Sequence, residues 1–434
     1  MTEVISIYLQ FLIFFIIFQF PINKSILNNY SKLRFNFFEI ITLNILLHLF
    51  FYLVISFLSI NLKVFFILEF FLGLSFIIFN IIDLYKKDAL AVDDNFLLII
   101  IFVIFNIILF TQIAGHMRLE WDGLAHWIYK AQIYFQEGTF ADIKYVDFSY
   151  YPQLGSFLWG YFWKNSFLEL EYFGRLIFPF LYLVGILFSV SSLNNNKNLL
   201  VKIIIIIVLI TLSLDFYLFG GYQEYLLFFE LIVFSKFFDL YRKNKSNLLF
   251  VILFLDMVLI LWTKQEGFFY NIILTIVFVV FCNQKNKTKF LFCVLVFLSI
   301  FLQIELKNNI IGNFHFNEPV IHEGLLRYLQ ISEIINTFLL ISKNIIISFF
   351  RYPIWILVLF IMGYTQFFYK IKIENYAKFY LLIYFMFVYA IYFQTQMDLE
   401  ILLPITIDRI LLQGSGFMVY PVVILLNNII LKNK

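Results

Sequence analysis

Residues 96–114 read FLLIIIFVIFNIILFTQIA, and a few positions later residues 119–132 read LEWDGLAHWIYKAQ. The first stretch carries no charge and has the length, roughly 17 to 25 apolar residues, at which a helix crosses a bilayer. The second holds two Trp, a His, a Lys and two carboxylates, too polar to continue into hydrocarbon. How often the first pattern recurs decides the fold. Further stretches of crossing length fall near 5–20, 38–60, 64–83, 171–192, 200–219, 224–240, 247–263, 267–283, 289–304, 353–369, 378–394 and 411–431. Of 434 residues, 62% are hydrophobic and 14% charged, with a mean hydropathy of +0.90, far outside the range of soluble domains. The expected fold class is therefore all-α: a polytopic membrane helix bundle of about 13 spans, one membrane-embedded domain over 1–434. The N-terminal MTEVISIYLQFLIFFIIF lacks a basic leader and a small-residue cleavage site, and is expected to be a retained first span.

The net charge of +3 says less than where the cations lie. Lys24, Lys32 and Arg34, then Lys86 and Lys87, Lys197 and Lys202, and Arg242, Lys243 and Lys245 mark alternate connections. Lys285, Lys287 and Lys289, then Lys370, Lys372 and Lys378, and Lys432 and Lys434 continue the series. The positive-inside rule makes these connections cytoplasmic. Cys282 and Cys293 fall beside one of them, where thiols stay reduced, so neither a disulfide nor a metal site is expected from them. The alternation holds if 331–350, ISEIINTFLLISKNIIISFF, lies along the interface as an amphipathic helix, because Glu333, Asn336, Lys343 and Asn344 interrupt it.

The opposite connections are then outer: 115–170, GGYQE at 220–224, KQEG at 264–267, 305–333 and TQMDLEILLPITIDR at 395–409. With the amphipathic helix, the second outer segment covers 305–350. This placement gathers Glu120, Asp122, Glu224, Glu266, Asp398, Glu400, Asp408 and Arg409 on one face. Within 115–170, the segment 119–136 has helical spacing, with Asp122, His126 and Lys130 at successive i+4 positions on one face. Trp127 and Tyr134 suit the headgroup level. Asp122 is either a helix cap or a carboxylate for proton transfer or cation binding.

The run W-D-G-L-A-H-W-x-x-K-A at 121–131, followed by Y-Y-P-Q-L-G-S-F-L-W at 150–159, resembles the first large outer loop of the GT-C superfamily. Those are multi-spanning glycosyltransferases that use polyprenyl-phosphate-linked sugars. The likeness covers about a tenth of the chain. It implies that 115–170 is a periplasmic loop with interfacial helices and that Asp122 is catalytic. GGYQEYLLFF at 220–229 resembles a later acidic loop and adds Glu224, with Glu120 beside Asp122; TKQEGFF at 263–269 resembles a Lys-x-Glu-Gly turn, with Gly267 permitting the reversal. Arg409 and Lys264 are the implied phosphate contacts. His126, Lys130, Tyr151, Glu266 and Gln413 complete the implied substrate-binding set.

The implied reaction moves a sugar from a polyprenyl-phosphate donor to the hydroxyl of a lipid- or glycan-linked acceptor, at the outer face of a bacterial inner membrane. Membrane lipids are the remaining partners, and no nucleic acid is expected. The resemblance requires no cofactor, and it leaves room for a divalent cation, Mg or Mn, on Asp122 and Glu224. Each assignment has a structural counterpart: Glu224 and Lys264 could form salt bridges, and Arg409 could pair with Asp408, Asp398 or Glu400. His315, Glu318, His322 and Glu323 lack the spacing of a helical metal site, and Pro319 interrupts them; a solvated or substrate-contacting loop is expected there. Glu69, Glu230 and Asp256, inside spans, are expected to make interhelical hydrogen bonds. The competing functions are a lipid or polysaccharide transporter, disfavoured by only 16 Gly and 7 Pro, and an O-antigen polymerase or ligase, which calls for Arg-rich outer loops.

Overall fold

The computed structural model of the chain describes residues 2–23, 35–86, 95–115, 118–193, 199–215, 218–312, 331–395 and 398–432. Among these residues the fold is all helix, without a strand. The helices are α1 (Thr2–Ile17), α2 (Phe37–Ile55), α3 (Leu62–Lys86), α4 (Asn95–Gly115), α5 (Ile128–Phe135), α6 (Leu154–Lys164), α7 (Glu171–Arg175) and α8 (Ile177–Val190). They continue as α9 (Leu199–Ser213), α10 (Glu224–Asn244), α11 (Asn247–Thr263), α12 (Glu266–Phe281) and α13 (Asn286–Ile311). The last four are α14 (Ile331–Arg351), α15 (Ile354–Phe367), α16 (Asn375–Gln394) and α17 (Leu399–Lys432).

Every apolar stretch expected to cross falls on one or two of these helices. Eight described helical segments are long and apolar enough to cross a membrane, and Ser332–Arg351 of α14 is one of them. The outward surface suits that solvent, since Phe71, Ile81, Phe297 and Phe360 are all exposed. Lipid tails are as apolar as Leu, so the helices are held together by close packing and polar contacts rather than by water exclusion. α10 is the axis, packed between α17, α8 and α11. Around it, aromatic rings interlock edge-on and stacked, as Phe14 on Phe162 at 4.7 Å and Tyr380 on Phe417 at 3.9 Å.

Polar groups inside the bundle join helices. Glu69 of α3 accepts from Tyr161 of α6 at 2.5 Å and from Tyr52 of α2 at 3.1 Å. Glu230 of α10 accepts from Thr263 of α11 at 2.8 Å. Asp256 departs from the expectation: neither of its carboxylate oxygens meets a partner among the described residues. At the end of the bundle remote from 118–170, Lys236 pairs with Glu39 at 2.8 Å and Arg242 with Glu374 at 3.0 Å.

α14 packs on α16 and α17. Ser342 bonds Tyr389 of α16 at 2.7 Å, Phe338 stacks on the same ring, and Ser348 and Arg351 both donate to Asp408 of α17. Tyr389 and Asp408 stand at one level, because Tyr392 and Thr406 of those two helices meet at 2.8 Å.

Candidate functional site

The charged residues of four connections meet in one cluster at the end of the bundle that carries 118–170. Glu224 heads α10, Lys264 follows α11, Glu266 heads α12, and Arg409 projects from the third turn of α17. Arg409 donates through Nε to Glu224 Oε1 at 2.6 Å and through Nη2 to Asp122 Oδ2. Lys264 Nζ reaches Glu224 Oε1 at 2.8 Å and Glu266 Oε1 at 3.4 Å. Asp122, Glu224, Lys264 and Arg409 are nearly shut off from solvent, so each ion pair acts at low dielectric. Tyr222, in the turn before α10, lies under the Arg409 guanidinium at 4.5 Å. Burial and the Asp122 charge hold its phenol above the usual range. Sequence reasoning missed Tyr222, and its only mark there is an aromatic inside a Gly-Gly-x-Gln-Glu turn.

Asp122 is no helix cap. Its backbone is helical (φ −66°, ψ −38°) and its side chain makes no capping bond. It opens a wide π turn, Gly123–Trp127, that runs directly into α5. The turn is pinned by contact with the 218–223 segment: Glu120 N–H donates to the Gly220 carbonyl at 3.1 Å, and a Cβ on Gly123 would stand 2.3 Å from that oxygen. The first strut of the site is thus backbone against backbone. Glu120, expected to support Asp122, turns to Arg118 at 3.6 Å, and its methylenes cover Gly220. Among the described residues Glu120 makes no ion pair with Arg409; its contacts are with Arg118 and Gly220.

His126 and Lys130 follow Asp122 along the same face. His126 Nε2 lies 3.9 Å from Asp122 Oδ1, the oxygen not bound by Arg409, and Nδ1 meets no partner among the described residues. Burial lowers the His126 pKa; Asp122 opposes the shift, and Lys130, Arg409 and Lys264 add to it. Tyr151 packs on His126 at 5.1 Å and on Trp127 at 5.7 Å, and its carbonyl accepts from Lys130 at 3.1 Å. Gln413, one turn beyond Arg409 on α17, is fully buried, with neither amide atom paired among the described residues.

Arg409 pairs with neither Asp408, Asp398 nor Glu400. Asp408 is taken by Ser348 and Arg351, and Asp398 caps α17 through the Glu400 N–H at 2.9 Å. His315, Glu318, His322 and Glu323 lie outside the described residues.

Two properties of the cluster bear on chemistry. Arg409 Nη1 has no hydrogen bond among the described residues, so the guanidinium keeps one edge for a further oxyanion. The carboxylates do not suit a divalent cation as arranged. Asp122 and Glu224 both face Arg409, which supplies the positive charge between them; Glu224 Oε2 is the fully buried oxygen of the two carboxylates that lacks a partner among the described residues, and no described group of three acidic, His or Cys side chains gathers around it.

No protein-family model, curated protein or solved structure matches this chain.

Proposed function

We propose that the chain is an integral membrane glycosyltransferase of GT-C-like architecture, with about thirteen spans and its site at the outer, periplasmic face of a bacterial inner membrane. It transfers a sugar from a polyprenyl-phosphate-linked donor to an acceptor hydroxyl. The observation that carries this reading is the convergence of Asp122, Glu224, Lys264, Glu266 and Arg409, from four connections far apart in sequence, on one buried ion-pair cluster.

Asp122 Oδ2 is held by Arg409, which leaves Oδ1 to accept the acceptor's proton. Nη1 of Arg409 and the remaining N–H of Lys264 receive the lipid phosphate as it departs. Glu224 lies between the two cations and fixes both. The leaving phosphate is stable, so positioning and charge stabilisation suffice without a covalent intermediate.

The test compares surface glycans of cells carrying the wild-type chain with those carrying Asp122→Ala, Glu224→Ala or the exposed Glu400→Ala. Loss of one glycan in the first two, with Glu400→Ala unchanged, is the expected result. With purified protein, release of polyprenyl phosphate falls by about 100-fold or more in Asp122→Ala. An unchanged glycan profile in a stably produced Asp122→Ala protein overturns the reading.

A further inference from the structure

Behind His126 lies a second group of buried polar side chains that the transfer chemistry above leaves unused. Its centre is Lys130, fully buried, whose ammonium faces the Trp127 ring at 5.4 Å and the Tyr151 ring at 5.5 Å. One of its three N–H groups is spent on the Tyr151 carbonyl; no described carboxylate lies within ion-pair distance. The neighbouring donors are unused too. Among the described residues, Trp127 Nε1, nearly fully buried, has no partner, and Gln153, buried two residues beyond the Tyr151 carbonyl, has neither amide atom paired. Lys307, at the end of α13, adds a second buried ammonium over the Trp262 ring at 5.6 Å.

Buried donors are ordinarily paired, and leaving one orphaned costs about 1–3 kcal/mol. A buried ammonium held by rings and one carbonyl is a larger expense, met in proteins by an opposite charge. Unused donors on Lys130 and Trp127, with Gln153 close by in sequence, call for an acceptor-rich, negatively charged group. Burial and the Lys307 charge both push the Lys130 ammonium well below its usual range, and a bound anion would offset both effects.

We propose that Lys130, with Trp127 and Gln153, forms an oxyanion subsite that takes a carboxylate or phosphate group carried by the acceptor. The assignment to the acceptor rests on the reading of Asp122 as the base. Lys130 stands two turns beyond Asp122 along the same face, on the His126 side, whereas Arg409 and Lys264 approach Asp122 and Glu224 from the other helices. An acceptor whose hydroxyl meets Asp122 Oδ1 therefore extends along α5 toward Lys130. The acceptor class is an acidic glycan or a phosphorylated one.

The test uses the full chain in nanodiscs of phosphatidylcholine, with thermal unfolding and tryptophan fluorescence as readouts. Glucuronate and inorganic phosphate are expected to raise the unfolding midpoint and shift the emission, while glucose at equal concentration does neither. The response is lost in Lys130→Gln, kept in Lys130→Arg, and kept in Arg409→Gln. Should Lys130→Gln not fold, Trp127→Phe removes one donor and weakens the response severalfold.

A response that survives in Lys130→Gln and disappears in Arg409→Gln belongs to the phosphate contacts of the transfer site and overturns the proposal. So does a response to glucose equal to that of the anions. Loss of the response when phosphatidylglycerol replaces a third of the lipid assigns these side chains to a lipid headgroup and also overturns it. Anion binding that depends on Lys130, in a protein whose Asp122→Ala variant leaves the cell's glycans unchanged, keeps the subsite and removes the enzyme reading.

Discussion

Arg409 is the residue on which most of the site depends, since it neutralises Asp122 and Glu224 at once. Arg409→Gln leaves two buried carboxylates against Lys264 alone, which costs about 3–5 kcal/mol. The midpoint of thermal unfolding in detergent should fall by several degrees, and Arg409→Gln/Glu224→Gln should recover part of the loss by removing the stranded charge. Equal midpoints for single and double variants would separate the two residues energetically. His126 carries a pH signature. Its folded pKa lies below the usual value near 6.5, so the fold favours the neutral ring. Its contribution to stability is complete above about pH 6.5 and declines as pH falls toward the folded value. His126→Gln should flatten the acid limb of stability against pH in that window. Asp122, Glu224, Lys264 and Arg409 were each legible as charges beside hydrocarbon. Their pairing was not, because the partners stand 185 and 287 positions apart and no local spacing joins them.

Among the elements, the reversal from α11 to α12 shows what a pattern hides. The sequence suggested that Gly267 makes the turn, yet the chain reverses at Lys264 and Gln265, and Gly267 already lies in α12. It is needed for close approach, since a Cβ there would stand 1.9 Å from the Ile260 carbonyl oxygen. Backbone cannot yield as a side chain can. Gly267→Ala should destabilise by about 1–3 kcal/mol and, by spreading α11 from α12, pull Lys264 from Glu224 and reduce activity. Gly363→Ala in α15 is the control: nothing among the described residues lies within 4 Å of its added Cβ, so it should be neutral or gain a little from helix propensity. A loss of stability in Gly363→Ala equal to that in Gly267→Ala would remove the close-approach argument. The π turn at Gly123–Trp127 was equally invisible, because contact with Gly220, not local preference, sets it.

At the scale of the whole molecule, apolar runs marked nearly every long helix, because twenty residues without charge have few alternatives to a helix that satisfies its own backbone. For which side each helix end faces, charge is the guide the sequence offers. The structure adds a division of its own: the Asp122–Glu224–Lys264–Arg409 cluster occupies one end of α10, and Arg242 and Lys243 the other. If lysine-rich connections are cytoplasmic, the cluster is outside, where a transferase would meet lipid-linked sugars. A chain with Cys282 and Cys293 changed to Ser offers a clean background for single cysteines. Tyr145→Cys sits on the exposed surface of the 118–170 segment, and Lys245→Cys on the exposed opposite connection. A membrane-impermeant maleimide should label Tyr145→Cys in spheroplasts and reach Lys245→Cys only after permeabilisation. The reverse pattern would put Asp122 in the cytoplasm, where the chemistry assigned to it has no outer-face donor to act on.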